Sequence, residues 1–164
     1  MLPSRGLPNV DVPMAERTEG SIQIAATLRV VMAVITDFEA YPDWADGVRS
    51  AEVTKRDGKG RPIEVAFEVS QMGIGAGYTL AYRYRPKLGG LSWTTTAASG
   101  AVKDIEGEYA LESAREGTRV TYRASIEPAI PMMGFLKRQA ERAIINAALG
   151  GLKKRVEAAR PRGR

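Results

Sequence analysis

The hydrophobic pattern has the period of a helix near the start of the chain, of strands in the middle, and of a helix again at the end. Residues 21–26 alternate between apolar and polar, which predicts a first strand. Thr27 then caps a predicted helix, in which apolar side chains recur every three or four residues. This helical stripe consists of Leu28, Val31, Met32, Ile35 and Phe38. Pro42 is predicted to open a second short helix through Trp44 to Asp46, and Gly47 suits a left-handed helix end.

The middle of the chain alternates between apolar and polar positions for about 80 residues, which predicts six further strands. The first three cover residues 48–55, 62–71 and 78–84, and the glycine-rich stretch 73–77 is interpreted as a loop. The last three are marked by Trp93, by Tyr109 and by Tyr122. Clean alternation and short turns indicate antiparallel strands with one buried face and one solvated face.

A long segment near the end of the chain, residues 131–159, has helical spacing, and Pro131 suits its first turn. Its predicted buried stripe consists of Leu136, Ala140, Ala143, Ile144, Ala147, Gly151 and Leu152. Glu141 and most of the basic side chains are assigned to the opposite face. Because the stripe becomes small towards its end, two interpretations remain open. The helix either packs closely on the sheet or covers a cavity and leaves space beneath it.

These elements predict an α+β protein in which a curved antiparallel sheet of about seven strands surrounds the one helix long enough to cover it. Two short helices follow the first strand and close one end. We expect one domain over residues 19–159, a loose tail over 1–18 and a basic tail over 160–164.

Composition narrows the chemistry. The 164 residues include no cysteine and no histidine, so disulfides, Cys/His metal sites and thiolate or imidazole nucleophiles are excluded. We therefore expect no metal and no cofactor. No apolar run approaches the ~18 residues of a membrane span, and the first residues lack the apolar core of a signal peptide. The expected compartment is the cytoplasm.

The net charge of +5 is unevenly placed, because residues 137–164 carry nine basic and two acidic side chains. This stretch has no interleaved aromatics and no recognisable nucleic-acid motif, so no nucleic-acid partner is expected. A solvated helix face is the favoured interpretation, and weak contact with an anionic membrane is the alternative.

Five stretches of local sequence, spanning about residues 21–158, carry a resemblance to a known family. They are VVMAVITDFEAYPDWADGV, AEVTKRDGKGRPIEVAFEVSQMGI, YTLAYRY with LSW, DIEGEYALES with GTRVTYRASIE, and IPMMGFLKRQAERAIINAALGGLKKRVE. The chain resembles the START-like, or Bet v 1-like (SRPBCC), helix-grip superfamily. It is most similar to the bacterial polyketide cyclase/dehydrase and lipid-transport branch, which includes coenzyme Q-binding proteins. One departure is Thr27-Leu28, where that family commonly has a proline.

The resemblance implies a hydrophobic cavity between the sheet and the C-terminal helix, and the tyrosines on the apolar register agree with it. The alternative for these tyrosines is that their hydroxyls reach solvent at strand ends. The expected ligand-binding residues are Phe67, Val69, Met72, Tyr78, Leu80, Tyr82, Trp93, Tyr109, Tyr122, Phe135, Leu136, Ala140, Ala143, Ile144 and Ala147.

The favoured function is therefore binding or transport of a hydrophobic small molecule such as a lipid, a quinone or a polyketide. The alternatives are a cyclase or dehydratase, which the resemblance also implies, and a regulatory or interaction protein. Acid–base catalysis needs a positioned proton donor or acceptor. Glu64, Glu68, Asp104, Glu106 and Glu108 all fall on the solvated register, so no catalytic residue is assigned.

Overall fold

The sheet dominates the computed structural model, which describes residues 17–71 and 73–158. The elements follow in this order: β1 (Thr18–Ile24), α1 (Leu28–Thr36), a 3₁₀ helix (Phe38–Asp43), β2 (Val48–Arg56), β3 (Pro62–Gln71), β4 (Ile74–Tyr84), a 3₁₀ turn (Pro86–Leu88), β5 (Gly90–Gly100), β6 (Val102–Ala114), β7 (Gly117–Pro128) and α2 (Gly134–Ala158).

All seven strands belong to one antiparallel sheet with the order β1-β7-β6-β5-β4-β3-β2. The two strands at its edges, β1 and β2, are joined in the chain by α1 and the 3₁₀ helix, which therefore cross from one edge to the other. The long helix α2 packs on β1, β7 and α1. This arrangement confirms the predicted α+β helix-grip fold.

The predicted alternation of the strands is confirmed. The buried positions include Val65 and Phe67 on β3, Leu80 and Tyr82 on β4, and Trp93 on β5. On β3, Glu68 directly follows Phe67 and is exposed, as a position on the opposite face should be. The face of the sheet that carries the buried side chains is called the inner face below.

The first helix is also confirmed in detail. The Thr27 side chain accepts a hydrogen bond from the backbone N–H of Val30 at 3.3 Å, which satisfies a donor that the first turn leaves free. Val31, Met32 and Ile35 are buried on the predicted stripe. Gly47 has φ of 85°, as its predicted left-handed conformation requires.

The prediction for the second short helix was wrong. It begins at Phe38, not Pro42, and it is a 3₁₀ helix with Pro42 inside it. Phe38 is 1% exposed. Because burial of its ring favours a helical turn at this point, the 3₁₀ helix begins directly after the end of α1. Pro42 supplies no backbone N–H, and the N–H groups of Trp44 and Ala45 close the turn around it by donating to the carbonyl oxygen of Tyr41 at 3.0 and 2.7 Å.

Three boundaries differ from those predicted. Strand β4 begins at Ile74, so most of the glycine-rich stretch is strand and pairs with β3 as far as Gln71 and Ile74. Thr18, assigned to the N-terminal tail, begins β1 and pairs with Ala124. Helix α2 begins at Gly134, so Pro131 lies before it. Residues 1–16 of the predicted N-terminal tail and the predicted basic tail over 160–164 lie outside the described residues.

The orientation of α2 was also predicted wrongly. Its buried residues are Glu141, Ile145, Leu149, Leu152 and Val156. At 3.6 residues per turn, this face lies almost opposite Ala140, Ala143 and Ala147, which are exposed. Of the predicted stripe, only Leu152 is buried. The long aliphatic side chains remove more apolar area from water than alanines do, so they face the sheet. Their spacing was visible in the sequence, but Glu141 interrupted it and was assigned to solvent.

Candidate ligand-binding site

Six aromatic side chains converge on the inner face of the sheet: Phe67, Tyr78, Tyr82, Trp93, Tyr109 and Tyr122, here called the aromatic cluster. The strand register brings them together. Phe67 is directly opposite Tyr78, Tyr82 is opposite Trp93, and Tyr109 is opposite Tyr122. Since opposed residues in an antiparallel pair have neighbouring side chains, alternation in five strands builds one continuous surface.

Trp93 links the two halves of the aromatic cluster. Its ring centroid lies 5.9 Å from that of Tyr82, 5.6 Å from Tyr109 and 5.4 Å from Tyr122. The Tyr109 and Tyr122 rings meet edge to face at 4.8 Å. Each such aromatic contact contributes about 0.5–1.5 kcal/mol beyond the area it buries.

The residue opposite Trp93 on β6 is Gly107, and the indole occupies the space that a side chain would need. A Cβ atom on Gly107 would lie 2.9 Å from Cζ2 of Trp93 and 3.1 Å from Cε2. It would also meet the carbonyl oxygen of Arg123. The absence of a side chain at this position therefore lets the indole ring lie across β6.

The 3₁₀ helix places two further rings, Phe38 and Tyr41, against the aromatic cluster. Neither was predicted from the sequence to belong to the site. Phe38 lies 4.6 Å from Tyr82 and 6.3 Å from Phe67, between ring centroids. Tyr41 lies 6.0 Å from Phe67. The sequence placed Phe38 on a helical core stripe, but the fold of that helix over the sheet, which no local pattern reports, brings it to the cluster.

Hydrogen bonding separates the tyrosines into two groups. Tyr41 donates to the carbonyl oxygen of Ile35 at 2.5 Å, and Tyr84 donates to that of Pro62 at 2.7 Å. By contrast, Tyr82, Tyr109 and Tyr122 have no hydrogen-bond partner for their hydroxyl groups among the described residues. Among the described residues, the fully enclosed side-chain polar atoms without a partner are Arg17 Nε and Trp93 Nε1, so these three hydroxyl groups keep some access to open space. They can therefore hydrogen-bond to a small molecule.

These hydroxyl groups hold their protons at neutral pH. Burial, and then the neighbouring tyrosines, raise the pKa of Tyr82 and of Tyr122 well above the ordinary value. Burial does the same to the pKa of Tyr109, and it raises the pKa of Tyr78 to about 12. The cluster therefore presents neutral phenols that can donate hydrogen bonds.

The charged groups of the neighbouring strands lie on the other face of the sheet, as the alternation predicts. Glu108 accepts hydrogen bonds from Arg85 and Arg123, each at 2.6 Å, and Arg123 also donates to Glu19 at 2.8 Å. Burial alone would raise the pKa of Glu108, but these arginines outweigh it and lower the pKa. Within residues 17–71 and 73–158, no group of three or more acidic side chains could hold a metal ion.

The structure brings the predicted sheet residues together but not the predicted helix residues. Phe67, Leu80, Tyr82, Trp93 and Tyr109 are buried, and Val69, Tyr78 and Tyr122 are partly buried. The helix residues are exposed, namely Phe135, Leu136, Ala140, Ala143, Ile144 and Ala147. Met72 lies outside the described residues. A role for these residues in ligand binding stays a prediction.

A separate hollow of about 440 Å³ lies between the start of α1 and the β6–β7 turn. Ala25, Leu28, Ser113 and Gly117 are among its lining residues. It includes no member of the aromatic cluster, and its lining combines small side chains with Leu28 and Glu116. We do not assign a ligand to it.

Part of the basic C-terminal region is engaged within the protein. Lys153 donates to the carbonyl oxygen of Gln23 at 2.9 Å and to Glu157 at 2.8 Å. None of the helices in the described part of the chain is long and apolar enough to cross a membrane. Contact between this region and an anionic membrane stays a prediction.

A curved antiparallel sheet, a long C-terminal helix and an aromatic inner face define the helix-grip class of protein, and comparison with family models agrees. Residues 15–157 match the family described as polyketide cyclase / dehydrase and lipid transport. Because the match covers most of the chain, the protein belongs to this family. A search of curated protein sequences finds no match.

Solved structures show the same fold at low sequence identity. A START superfamily protein from Mycobacterium smegmatis aligns with a TM-score of 0.81 and 18% identity, over 88% of this chain and 99% of the other. An aromatase/cyclase from Streptomyces aligns with a TM-score of 0.71 and 16% identity, over 90% and 97% of the two chains. A STAR-related lipid transfer protein from Xanthomonas axonopodis gives 0.63 and 16%, over 85% and 84%.

Proposed function

We propose that this protein binds a hydrophobic small molecule against the aromatic cluster. The observation that carries the proposal is the contrast between its tyrosines. Tyr41 and Tyr84 satisfy their hydroxyls with carbonyl oxygens. Tyr82, Tyr109 and Tyr122 leave theirs available within a surface that is otherwise apolar. A mostly apolar surface with a few convergent polar groups is typical of a small-molecule site.

Family membership supports the same function. The family description includes lipid transport, and one structural relative is a lipid transfer protein. Exposed apolar side chains near the start of α2 would extend the site beyond the sheet: Phe135 is 57% exposed and Leu136 is 42% exposed. The ligand class that fits is a lipid, a quinone or a polyketide-like molecule with a large apolar part.

The catalytic alternative is a cyclase or dehydratase, as the name of the Streptomyces relative suggests. Such chemistry would need a group in the cluster that exchanges a proton near neutral pH. The raised pKa values of Tyr82, Tyr109 and Tyr122 make these phenols hydrogen-bond donors rather than bases. Binding is therefore the function that we favour.

Two measurements test this proposal. Native mass spectrometry of protein purified from its own host should reveal a co-purified apolar molecule as an added mass. The neutral fluorescent dye Nile red should bind saturably at one molecule per chain. The co-purified molecule, once it has been released from the protein, should displace the dye. The variant Tyr109→Phe with Tyr122→Phe should weaken binding of the released molecule, because both hydroxyls are lost while the rings remain.

Tyr84→Phe is the matched control, because its hydroxyl is already paired with Pro62. It should leave the affinity unchanged. A protein that carries no added mass and shows no saturable dye binding would contradict the proposed function. Equal loss of affinity in the control would mean that the effect does not arise in the aromatic cluster.

A further inference from the structure

Trp93 holds a buried hydrogen-bond donor that is unpaired in the described part of the chain. The side chain is 5% exposed, and its Nε1 atom has no hydrogen-bond partner among residues 17–71 and 73–158. The indole N–H can only donate, so it cannot be satisfied by another donor. Leaving it unpaired costs about 1–3 kcal/mol, and buried groups of this kind are rare.

The described side chains around Trp93 do not provide a hydrogen-bond acceptor for its indole N–H. The rings of Tyr82, Tyr109 and Tyr122 surround it within 6 Å of its centroid. A tyrosine hydroxyl oxygen can accept a hydrogen bond, but none of these three makes one with Nε1 of Trp93. On β6, the indole faces Gly107, which contributes no side chain at all.

Charge is missing from this group of side chains as well. The six side chains of the aromatic cluster carry no charge, and the ionised partners Glu108 and Arg123 lie on the opposite face of the sheet. The buried Glu141 of α2 is already paired with Lys137. A carboxylate or ammonium group taken into the cluster would therefore lose its hydration without gaining a counter-ion, which is strongly unfavourable.

From these observations we propose that the ligand is uncharged and carries a carbonyl or ether oxygen, which accepts a hydrogen bond from Nε1 of Trp93. The Tyr109 and Tyr122 hydroxyls surround that oxygen and donate to it or to a second one. Trp93 is then a specificity-determining residue: it distinguishes an oxygen-bearing apolar molecule from a plain hydrocarbon and from a fatty-acid anion. This inference rests on the proposed function.

Three rigid probes of nearly the same shape separate these possibilities: fluorene, 9-fluorenone and 9-fluorenecarboxylate. Fluorene has no acceptor, fluorenone has one carbonyl oxygen, and the carboxylate is charged. We expect fluorenone to displace Nile red about five- to tenfold more tightly than fluorene, as one hydrogen bond to an otherwise unpaired donor provides. The carboxylate should bind more weakly than either.

Trp93→Phe keeps an aromatic ring and removes the N–H. The variant will bind every probe less tightly because it has less ring area, but the ratio of fluorenone to fluorene affinity cancels this loss. That ratio should fall to one or below. In the control Tyr84→Phe, the ratio should stay at the wild-type value.

The indole N–H can also be observed directly. In a ¹H–¹⁵N spectrum, the two tryptophans give two indole signals, and in Trp44→Phe the signal that remains belongs to Trp93. We expect fluorenone to move this proton downfield relative to its position with fluorene. This readout reports the hydrogen bond even if Trp93→Phe fails to fold.

The outcomes separate the two proposals. Equal affinity for fluorenone and fluorene, or a ratio that survives Trp93→Phe, would overturn the role of Trp93 while leaving the apolar site intact. Tightest binding of the carboxylate would overturn the requirement for an uncharged ligand. Failure of all three probes to bind would contradict the proposed function itself.

Discussion

The backbone N–H of Ile126 donates to the buried carboxylate of Glu141 across a distance of 2.7 Å. Strand β1 pairs with β7 only as far as Ala124, so this N–H lies past the point where β1 supplies partners. Glu141 takes the place of the missing strand. Its carboxylate also accepts from Thr18 at 2.6 Å and from Lys137 at 2.8 Å. One side chain of α2 therefore joins the helix to both β1 and β7.

Replacing Glu141 with glutamine should destabilise the protein by about 1–3 kcal/mol. The amide keeps the size of the side chain but has one acceptor oxygen where the carboxylate has two, and its NH₂ group faces other donors. Urea unfolding monitored by circular dichroism measures the change. Glu112→Gln, at an exposed position of β6, is the control and should shift stability by less than about 0.5 kcal/mol. Equal effects in the two variants would show that the buried hydrogen bonds of Glu141 contribute little.

Two adjacent isoleucines of α2 test the orientation of the helix. Ile145 is 1% exposed and Ile144 is 41% exposed. Ile145→Ala should cost about 2–5 kcal/mol, because it leaves a cavity between α2 and β1. Gly20 on β1 lies directly under this side chain: a Cβ atom added to Gly20 would be 2.8 Å from Cγ2 of Ile145. Ile144→Ala should cost about 1 kcal/mol or less. Thermal and urea unfolding of both variants would reveal a reversed order if the small stripe of α2 faced the sheet instead.

Two glycines should respond to alanine in opposite directions. At Gly107, a Cβ atom would lie 2.9 Å from the Trp93 ring and still closer to the backbone of β7, so Gly107→Ala should destabilise the protein by about 1–3 kcal/mol. At Gly150 in α2, nothing lies within 4 Å of the added atom. Gly150→Ala should therefore stabilise the helix by about 0.5–1 kcal/mol. The melting temperatures of the two variants should lie on either side of the wild-type value.

Acid should remove the stabilisation that Glu108 provides. Arg123 and Arg85 hold the pKa of Glu108 below its usual value, against the opposing effect of burial. In an unfolded chain the pKa is about 4.3, so folding favours the ionised form. This stabilisation is complete above the unfolded pKa and is lost as the pH falls through the lower folded pKa.

Glu108→Gln removes this titration. Urea unfolding between pH 7 and pH 3 should show a shallower loss of stability for the variant than for the wild type, with the two curves converging at low pH. Glu52→Gln, at an exposed position of β2, should follow the wild-type curve. A variant that loses stability as steeply as the wild type would show that Glu108 does not contribute to the acid transition.

Removing an unpaired hydroxyl should not weaken the fold. Tyr122→Phe should keep or raise the melting temperature of the ligand-free protein, because the hydroxyl has no partner among the described residues. Tyr41→Phe, by contrast, loses the hydrogen bond to Ile35 and should cost about 1 kcal/mol. If Tyr122→Phe lowered stability as much as Tyr41→Phe, its hydroxyl would have a structural partner and would not be available to a ligand.

The features that the sequence determined are those with a local period. Alternation through Val65 and Phe67, or through Leu80 and Tyr82, places every second side chain on one face whatever the neighbouring strands are. The cap at Thr27 and the left-handed Gly47 also depend on a few adjacent residues. These signals were enough to predict which side chains of each strand lie on the buried face, the first helix and the α+β class. The local sequences carried the family resemblance.

The face that α2 presents to the sheet was decided only by tertiary structure. Ala143 and Ile145 both belong to helical stripes, and the choice depends on which stripe buries more area against β1 and β7. Glu141 is buried because β7 extends past β1 and leaves an N–H to be satisfied, a fact about two distant strands. The indole of Trp93 likewise lies across β6 because Gly107, fourteen residues away, is its cross-strand neighbour. Local sequence reports periodicity, but partners are assigned by the register and packing of segments that meet only in the folded chain.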